Sequence, residues 1–159
     1  MKNKKTIKVI GIIFLIVSII LILVNTWELI TLSSNEQVVI LQKFHIDVSY
    51  YLKSQIIYYS ANYFFYFPLL LFSIFTMQYK NLGRIGLSIV LSLSIVYFFL
   101  SPIIFDAKLP VVVIPGVNDN SENISTYIYY FVSIIKSVVL IFVLYFLNKK
   151  ENQEIFKTT

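Results

Sequence analysis

The chain has 159 residues, 58% of them hydrophobic and only 13% charged, whereas a soluble domain carries about 25% charged residues, so a water-soluble fold is excluded. Its length fits one compact unit, and we expect no separate soluble domain beside it. The absence of cysteine excludes disulfides and thiolate catalysis, and the single histidine, His45, excludes metal sites that need two imidazoles. The net charge is +5, and most of the basic residues lie near the ends of the apolar runs described below.

The first apolar run covers residues 7–25 and follows a leader that contains Lys2, Lys4 and Lys5. A signal peptide has an apolar core of about 7 to 15 residues and a small-residue cleavage site. This run is longer, and residues 25–28 do not form such a site. We therefore predict a retained transmembrane helix rather than a cleaved signal peptide.

Three further apolar runs cover residues 56–77, 85–105 and 127–147. The short polar turn between the first two of these runs predicts an antiparallel helical hairpin. Each run approaches the roughly 20 residues that cross a hydrocarbon layer of about 30 Å. Backbone amides have no water to bind in that layer, so the runs should be helices. The predicted fold is an all-α membrane protein, a four-transmembrane-helix bundle that forms one domain over residues 1–159.

The distribution of Lys and Arg predicts the orientation of the bundle, because these residues favour the cytoplasmic side. With both ends of the chain in the cytoplasm, nine basic residues lie inside and three lie outside. The inner ones are Lys2, Lys4, Lys5, Lys8, Lys80, Arg84, Lys149, Lys150 and Lys157, and the outer ones are Lys43, Lys53 and Lys108. The abundance of Ile, Lys and Asn suggests an AT-rich bacterial gene. We predict a multi-pass protein of the bacterial cell membrane with cytoplasmic N- and C-termini.

Two outer loops, at residues 26–55 and 106–126, join the predicted helices. Polar and apolar residues alternate over residues 43–50, which is typical of a half-buried strand. A short helix is expected over residues 38–41. In the second loop, four apolar residues at 111–114 lie between two prolines, a composition that suits an edge strand. We expect the loops to meet as a small extracytoplasmic cap that can contain two or three short strands.

Lys136 lies midway along the fourth apolar run, where an ionised lysine is roughly 2.5 to 3.5 kcal/mol unfavourable. No Asp or Glu occurs inside any of the four runs. Counting residues inward from the outer surface places several polar side chains at a similar depth. We predict a polar layer in the middle of the membrane, centred on Lys136, whose other binding residues are Asn62, Tyr66, Ser94 and Tyr97.

Two prolines add backbone acceptors to this region. Pro68 and Pro102 cannot donate to the carbonyls four residues earlier, which leaves the oxygens of Phe64 and Phe98 free. The alternative is that Lys136 has no binding role and is either neutral or extends its amine towards the membrane surface.

Small residues recur at four-residue spacing in the last two runs, as Ser88 with Ser92 and Ser133 with Ser137, and Gly11 and Ser18 share a face of the first. Such faces let helices approach closely. Packing within the protein is favoured over an oligomer interface.

The sequence contains no phosphate-binding glycine loop, nucleophile elbow or pair of buried carboxylates, so we expect no enzyme activity and no cofactor. The predicted function is that of a non-enzymatic accessory or immunity-type membrane protein that binds a partner in or at the membrane. The alternative is a subunit of an oligomeric transporter or channel with Lys136 in an anion path. Expected partners are membrane lipid and either a membrane protein or a second copy of the chain. Nucleic acid is not expected, because anionic lipid and orientation explain the basic residues.

Overall fold

A computed structural model describes residues 2–32, 34, 38, 39, 42, 48–104 and 121–157 of the chain. This part of the chain is helical and contains no strand. Its helices are α1 (Lys2–Thr31), α2 (Val48–Met77), α3 (Asn81–Ile104), α4 (Ser121–Asn148) and α5 (Lys150–Lys157). Helices α1 to α4 are each long and apolar enough to cross a membrane. For the described residues, the prediction of an all-helical protein with four helices long and apolar enough to cross a membrane is confirmed.

The transmembrane helices are longer than their apolar runs. Helix α1 continues six residues beyond the predicted end, α2 begins eight residues before its predicted start, and α4 begins six residues early. The 30 residues of α1 and of α2 correspond to about 45 Å each, against a hydrocarbon layer of about 30 Å. Hydropathy detects only the apolar segment of a helix that lies in the hydrocarbon layer. The hydrogen-bonded helical backbone continues beyond that segment through polar residues.

The predicted cap with strands is not supported. Helix α2 begins at Val48, so the strand predicted over residues 43–50 is wrong at its end, and the rest of that segment lies outside the described residues. Extending an existing helix by one turn requires no new nucleus, which favours helix over an isolated strand. The helical backbone at residues 38, 39 and 42 agrees with the short helix expected at 38–41. The segment predicted as an edge strand at 111–114 lies outside the described residues.

Helices α1 and α2 pack together along a seam in which most of the buried residues are small or polar. The buried residues of the seam recur every seven positions, as Gly11, Ser18 and Asn25 on α1 and as Asn62, Leu69 and Thr76 on α2. A seven-residue repeat keeps one face of each helix towards its neighbour over several turns. The seam therefore holds two antiparallel helices in close contact through most of the membrane.

Each long helix packs against the next one in the chain, and α5 packs against α3 and α4. The apolar core joins Ile7, Leu69, Leu87, Leu147 and Phe156. Both chain ends lie at one end of the bundle, because the Asn3 amide donates to Asn152 at 2.9 Å. We call this the terminal end, and the opposite end the loop end.

The turn between α2 and α3 closes α2 with two backbone hydrogen bonds. The Lys80 amide donates to the Phe75 carbonyl and the Tyr79 amide donates to the Thr76 carbonyl, each at 3.0 Å. Tyr79 has φ 57°, a conformation that usually belongs to glycine in this motif. The Tyr79 hydroxyl donates to the Lys4 carbonyl at 3.3 Å, so the side chain at this unusual turn position connects the turn to α1.

Candidate functional site

A buried hydrogen-bond network joins three helices in the half of the bundle nearer the loop end. The Asn62 amide donates to Asn25 Oδ1 at 3.1 Å, and the Tyr97 hydroxyl donates to Asn62 Oδ1 at 2.8 Å. Asn25 in turn donates to the Tyr59 carbonyl at 2.9 Å. Both asparagines are only 4% exposed. The side chain of Asn62 therefore connects α2 to α1 on one side and to α3 on the other.

Further aromatic residues surround this network. Tyr58 and Tyr66 lie one helical turn before and one turn after Asn62 on the same face of α2, and the Tyr58 hydroxyl interacts with the Asn62 side chain. The Tyr97 ring packs on Phe65 with centroids 4.6 Å apart. We call Asn25, Asn62, Tyr58, Tyr66 and Tyr97 the asparagine–tyrosine cluster. Asn62 precedes the end of α2 by fifteen residues, which places it about 22 Å from the terminal end.

A second set of hydrogen bonds joins α3 and α4 around Pro102. The Tyr129 hydroxyl donates to the Phe98 carbonyl at 2.8 Å. Ser101 then donates to the Tyr129 oxygen at 2.9 Å, because the single phenolic proton is already used. The proline leaves the Phe98 oxygen without a donor from its own helix, and a side chain of α4 supplies one.

Tyr129 was not among the predicted site residues. Tyrosines near the ends of transmembrane helices usually belong to the aromatic belt at the interface. The signal that could have found it is the free carbonyl created by Pro102, which requires a donor from a neighbouring helix.

Within the described residues Lys136 is not hydrogen-bonded to either network, although it contacts the ring of Phe98, whose carbonyl belongs to the second one. Its side chain is exposed, and its Nζ lies over the Phe98 ring, 5.5 Å from the centroid. The described part of the chain shows neither a hydrogen bond nor an ion pair for this amine. Val132 and Val139, on the same face of α4, are 39% and 56% exposed.

The structure thus brings together three of the five predicted binding residues, Asn62, Tyr66 and Tyr97. Ser94 bonds within its own helix, to the Val90 carbonyl at 2.8 Å. Lys136 is at the expected depth but on a different face of its helix. Successive residues are about 100° apart around a helix, and Ser133 and Ser137 occupy the face of α4 that is buried.

Packing within the protein was predicted for three pairs of small residues. Two of the pairs, Gly11 with Ser18 and Ser133 with Ser137, are buried in this way. Ser133 and Ser137 are 3% and 6% exposed. A Cβ atom on Gly11 would lie 3.1 Å from the Ser73 carbonyl oxygen, tighter than ordinary contact. Ser92 differs, because its side chain is exposed.

The site offers neutral amides and phenols in one region and one ammonium group in another. Among the described residues, no three His, Asp or Glu side chains lie together as metal ligands would. His45, Asp47 and Asp106 lie outside those residues. The amides, the phenols and the ammonium group can bind and orient a partner by hydrogen bonding and charge.

The chain matches no protein-family model, and neither a curated protein nor a solved structure shows significant similarity to it. Its function has to be inferred from its own geometry and chemistry.

Proposed function

We propose that this protein is a non-enzymatic protein of the cell membrane, of the accessory or immunity type, that acts by binding another membrane protein. In this proposal Lys136, on the exposed face of α4, pairs with an acidic side chain inside a helix of the partner. The observation that supports it is an exposed ammonium group on an apolar face at mid-membrane depth.

The energy of Lys136 in the isolated protein favours such a partner. Inserting an ionised lysine at the centre of a membrane helix costs roughly 2.5 to 3.5 kcal/mol. A cation–π contact such as the one with Phe98 returns about 0.5 to 2 kcal/mol. The ring therefore offsets only part of the cost, and a carboxylate in the same low-dielectric layer would offset much more.

Extension of the lysine towards water does not remove this cost. Side chains of a helix lean towards its N-terminus, and the N-terminus of α4 is at the loop end. Lys136 precedes the end of α4 by twelve residues, about 18 Å, and its stem adds roughly 6 Å in the direction of Phe98. If the hydrocarbon layer of about 30 Å begins at the terminal end, the amine stops roughly 6 Å short of the opposite surface.

The surface around Lys136 suits a second helix. Exposed apolar side chains precede and follow the lysine at helical spacing, so a partner helix could lie along this face and bring its carboxylate to the amine. In this proposal the terminal end faces the cytoplasm of a bacterial cell, because the nine basic residues assigned to the inner side favour that side.

The test is co-purification in mild detergent of the wild-type protein and two lysine variants. Lys136→Met removes the charge from the exposed face of α4. Lys53→Met is the matched control, because it removes the same charge from an exposed position near the start of α2. We expect a stoichiometric partner with an Asp or Glu inside a transmembrane helix. We also expect Lys136→Met, but not Lys53→Met, to reduce its recovery about tenfold or more, since truncating one member of a buried charge pair costs 2 to 5 kcal/mol.

A charge exchange makes the test specific for the contact. Lys136→Glu should lose the partner, and changing the partner's acid to lysine should restore it. Equal recovery of the partner with Lys136→Met and wild type would contradict the proposal, as would a purified protein that is monomeric and alone. A homo-oligomer that conducts anions in liposomes would instead favour the alternative, in which Lys136 of several copies lines a path.

A further inference from the structure

Arg84 is held in a fixed position at the terminal end, close to the point where α3, α4 and α5 meet. Its Nε donates to Asn81 Oδ1 at 3.1 Å and its Nη1 donates to Asn148 Oδ1 at 2.7 Å. The Asn148 amide nitrogen donates to Ser88 Oγ at 3.0 Å and to the Leu144 carbonyl at 2.9 Å. These donations fix the orientation of the amide, so its oxygen must face the guanidinium.

The charge of this guanidinium is not neutralised by the residues that hold it. Both acceptors are neutral amides, and within the described residues the N–H groups on Nη2 have no partner. Glu151, a carboxylate in the first turn of α5, pairs with Lys149 at 3.1 Å. Lys80 and Lys150 are exposed at the same end of the bundle. An anion is therefore attracted to this region, and planar N–H donors are available to bind it.

The position of Arg84 selects the kind of anion. The residue lies in the first turn of α3, where the membrane-spanning part of the helix begins. Deeper in the membrane the face of α3 below Arg84 is buried at Leu87, whereas the neighbouring face exposes Ile85 and Ile89 at 42% and 55%, and on α4 the Tyr145 ring is also exposed. A charged donor next to an exposed apolar surface matches a phosphate attached to acyl chains better than it matches free phosphate.

We propose that Arg84, positioned by Asn81 and Asn148, binds the headgroup phosphate of an anionic phospholipid in the leaflet at the terminal end. The acyl chains of that lipid lie along the exposed apolar side chains of α3 and α4. The neighbouring lysines favour a lipid with net negative charge over a zwitterionic one. This site is independent of Lys136, which lies on another part of α4 about 18 Å away along the helix axis.

Native mass spectrometry of the purified protein with mixed phosphatidylglycerol and phosphatidylcholine tests the proposal. The wild type should retain phosphatidylglycerol in preference to phosphatidylcholine. Arg84→Gln should reduce retention of phosphatidylglycerol about tenfold, as expected when a charged hydrogen bond of roughly 1.5 kcal/mol is lost. Lys157→Gln is the control, because it removes one charge from an exposed position on α5 without touching the site.

Two further variants separate a built site from diffuse attraction. Arg84→Lys keeps the charge but loses the planar donors, and Asn148→Leu keeps the guanidinium but removes its positioning acceptor. Each should lower retention severalfold while the circular dichroism spectrum stays that of a helical protein. Equal losses for Arg84→Gln and Lys157→Gln would overturn the proposal in favour of diffuse charge. Displacement of the lipid by millimolar inorganic phosphate would overturn it in favour of a free-phosphate site, and absence of a preference for phosphatidylglycerol would overturn both.

Discussion

Asn62 shows how a single polar residue can organise helices inside a membrane. Its amide is complementary to groups on two neighbouring helices, accepting from Tyr97 and donating to Asn25. In hydrocarbon the alternative to each bond is an unsatisfied polar group, since no water is available to replace the partner. Measured bonds of this kind average about 0.6 kcal/mol and reach about 1.7 kcal/mol. The network therefore specifies which faces meet more than it stabilises the bundle as a whole.

We expect Asn62→Leu to lower the free energy of unfolding by about 1 to 2 kcal/mol, because the Asn25 oxygen and the Tyr97 hydroxyl lose their partner without water to replace it. Ser94→Ala is the control and should be close to neutral, since the one bond that the Ser94 hydroxyl makes among the described residues is to its own helix. Unfolding in graded sodium dodecyl sulfate measures both. The double variant Asn25→Leu with Asn62→Leu should be less destabilised than the sum of the two, and strict additivity would contradict a direct bond.

At the scale of the helices, close packing depends on the small residues of the α1–α2 seam. The heptad spacing of Gly11, Ser18 and Asn25 places all three on one face of α1. The apolar residues between them are largely exposed, as Ile12 and Ile16 are. Lipid tails are as apolar as leucine, so burying large apolar side chains gives little advantage in a membrane, and contact area between backbones gives more. This explains why the seam contains the small residues of α1 and why the isoleucines face lipid.

We expect Gly11→Leu to separate α1 from α2 and to lower stability by about 1 to 3 kcal/mol, the usual cost of overpacking. A Cβ at this position already approaches the backbone of Ser73 and Met77 at 3.1 Å, and backbone cannot move aside as a side chain can. Val9→Leu adds bulk to an exposed position of the same helix and should be neutral. Thermal unfolding in mild detergent compares the stabilities of Gly11→Leu, Val9→Leu and the wild type. A Gly11→Leu protein as stable as Val9→Leu would show that the seam is not close packed.

At the scale of the whole molecule, the structure brings the two chain ends together and leaves the helices in sequential contact. The Asn3 to Asn152 bond and the fully buried side chain of Asn152, which also donates to the Phe146 carbonyl, join α1 and α5 across 149 positions of sequence. Four crossings require both ends on one side, and the distribution of Lys and Arg predicts that this side is the cytoplasm.

Cysteine labelling tests this arrangement, because the natural chain has no cysteine and every label reports the introduced one. We expect Lys5→Cys and Lys157→Cys to resist a membrane-impermeant maleimide in intact cells and to react after lysis. Lys53→Cys should react in intact cells, since it lies near the loop end of α2. All three positions are exposed. Labelling of positions 5 and 157 from opposite sides would contradict four crossings, and labelling of both from outside would contradict the orientation.

The asparagine–tyrosine cluster shows which contacts can be predicted from the depth of a residue in the membrane and which cannot. Counting residues placed Asn62 on α2 and Tyr97 on α3 at a similar depth, and the structure joins the two side chains by a hydrogen bond. The same count failed to place Lys136, since depth says nothing about rotation around the helix axis. Tyr129 was missed for a related reason, because its role depends on the Phe98 carbonyl, which is released by a proline on another helix.

The sequence by itself predicted four membrane-spanning helices, since it contains four apolar runs and a backbone in hydrocarbon must bond internally. It also indicated the small-residue faces, because residue size is a local property. Only the tertiary structure decided the ends of the helices and the absence of a strand at residues 48–50, because helix propagation through polar residues leaves no hydropathy signal. It alone decided which face of α4 is buried, because rotation is selected by complementarity between helices, and this choice left Lys136 on the exposed side.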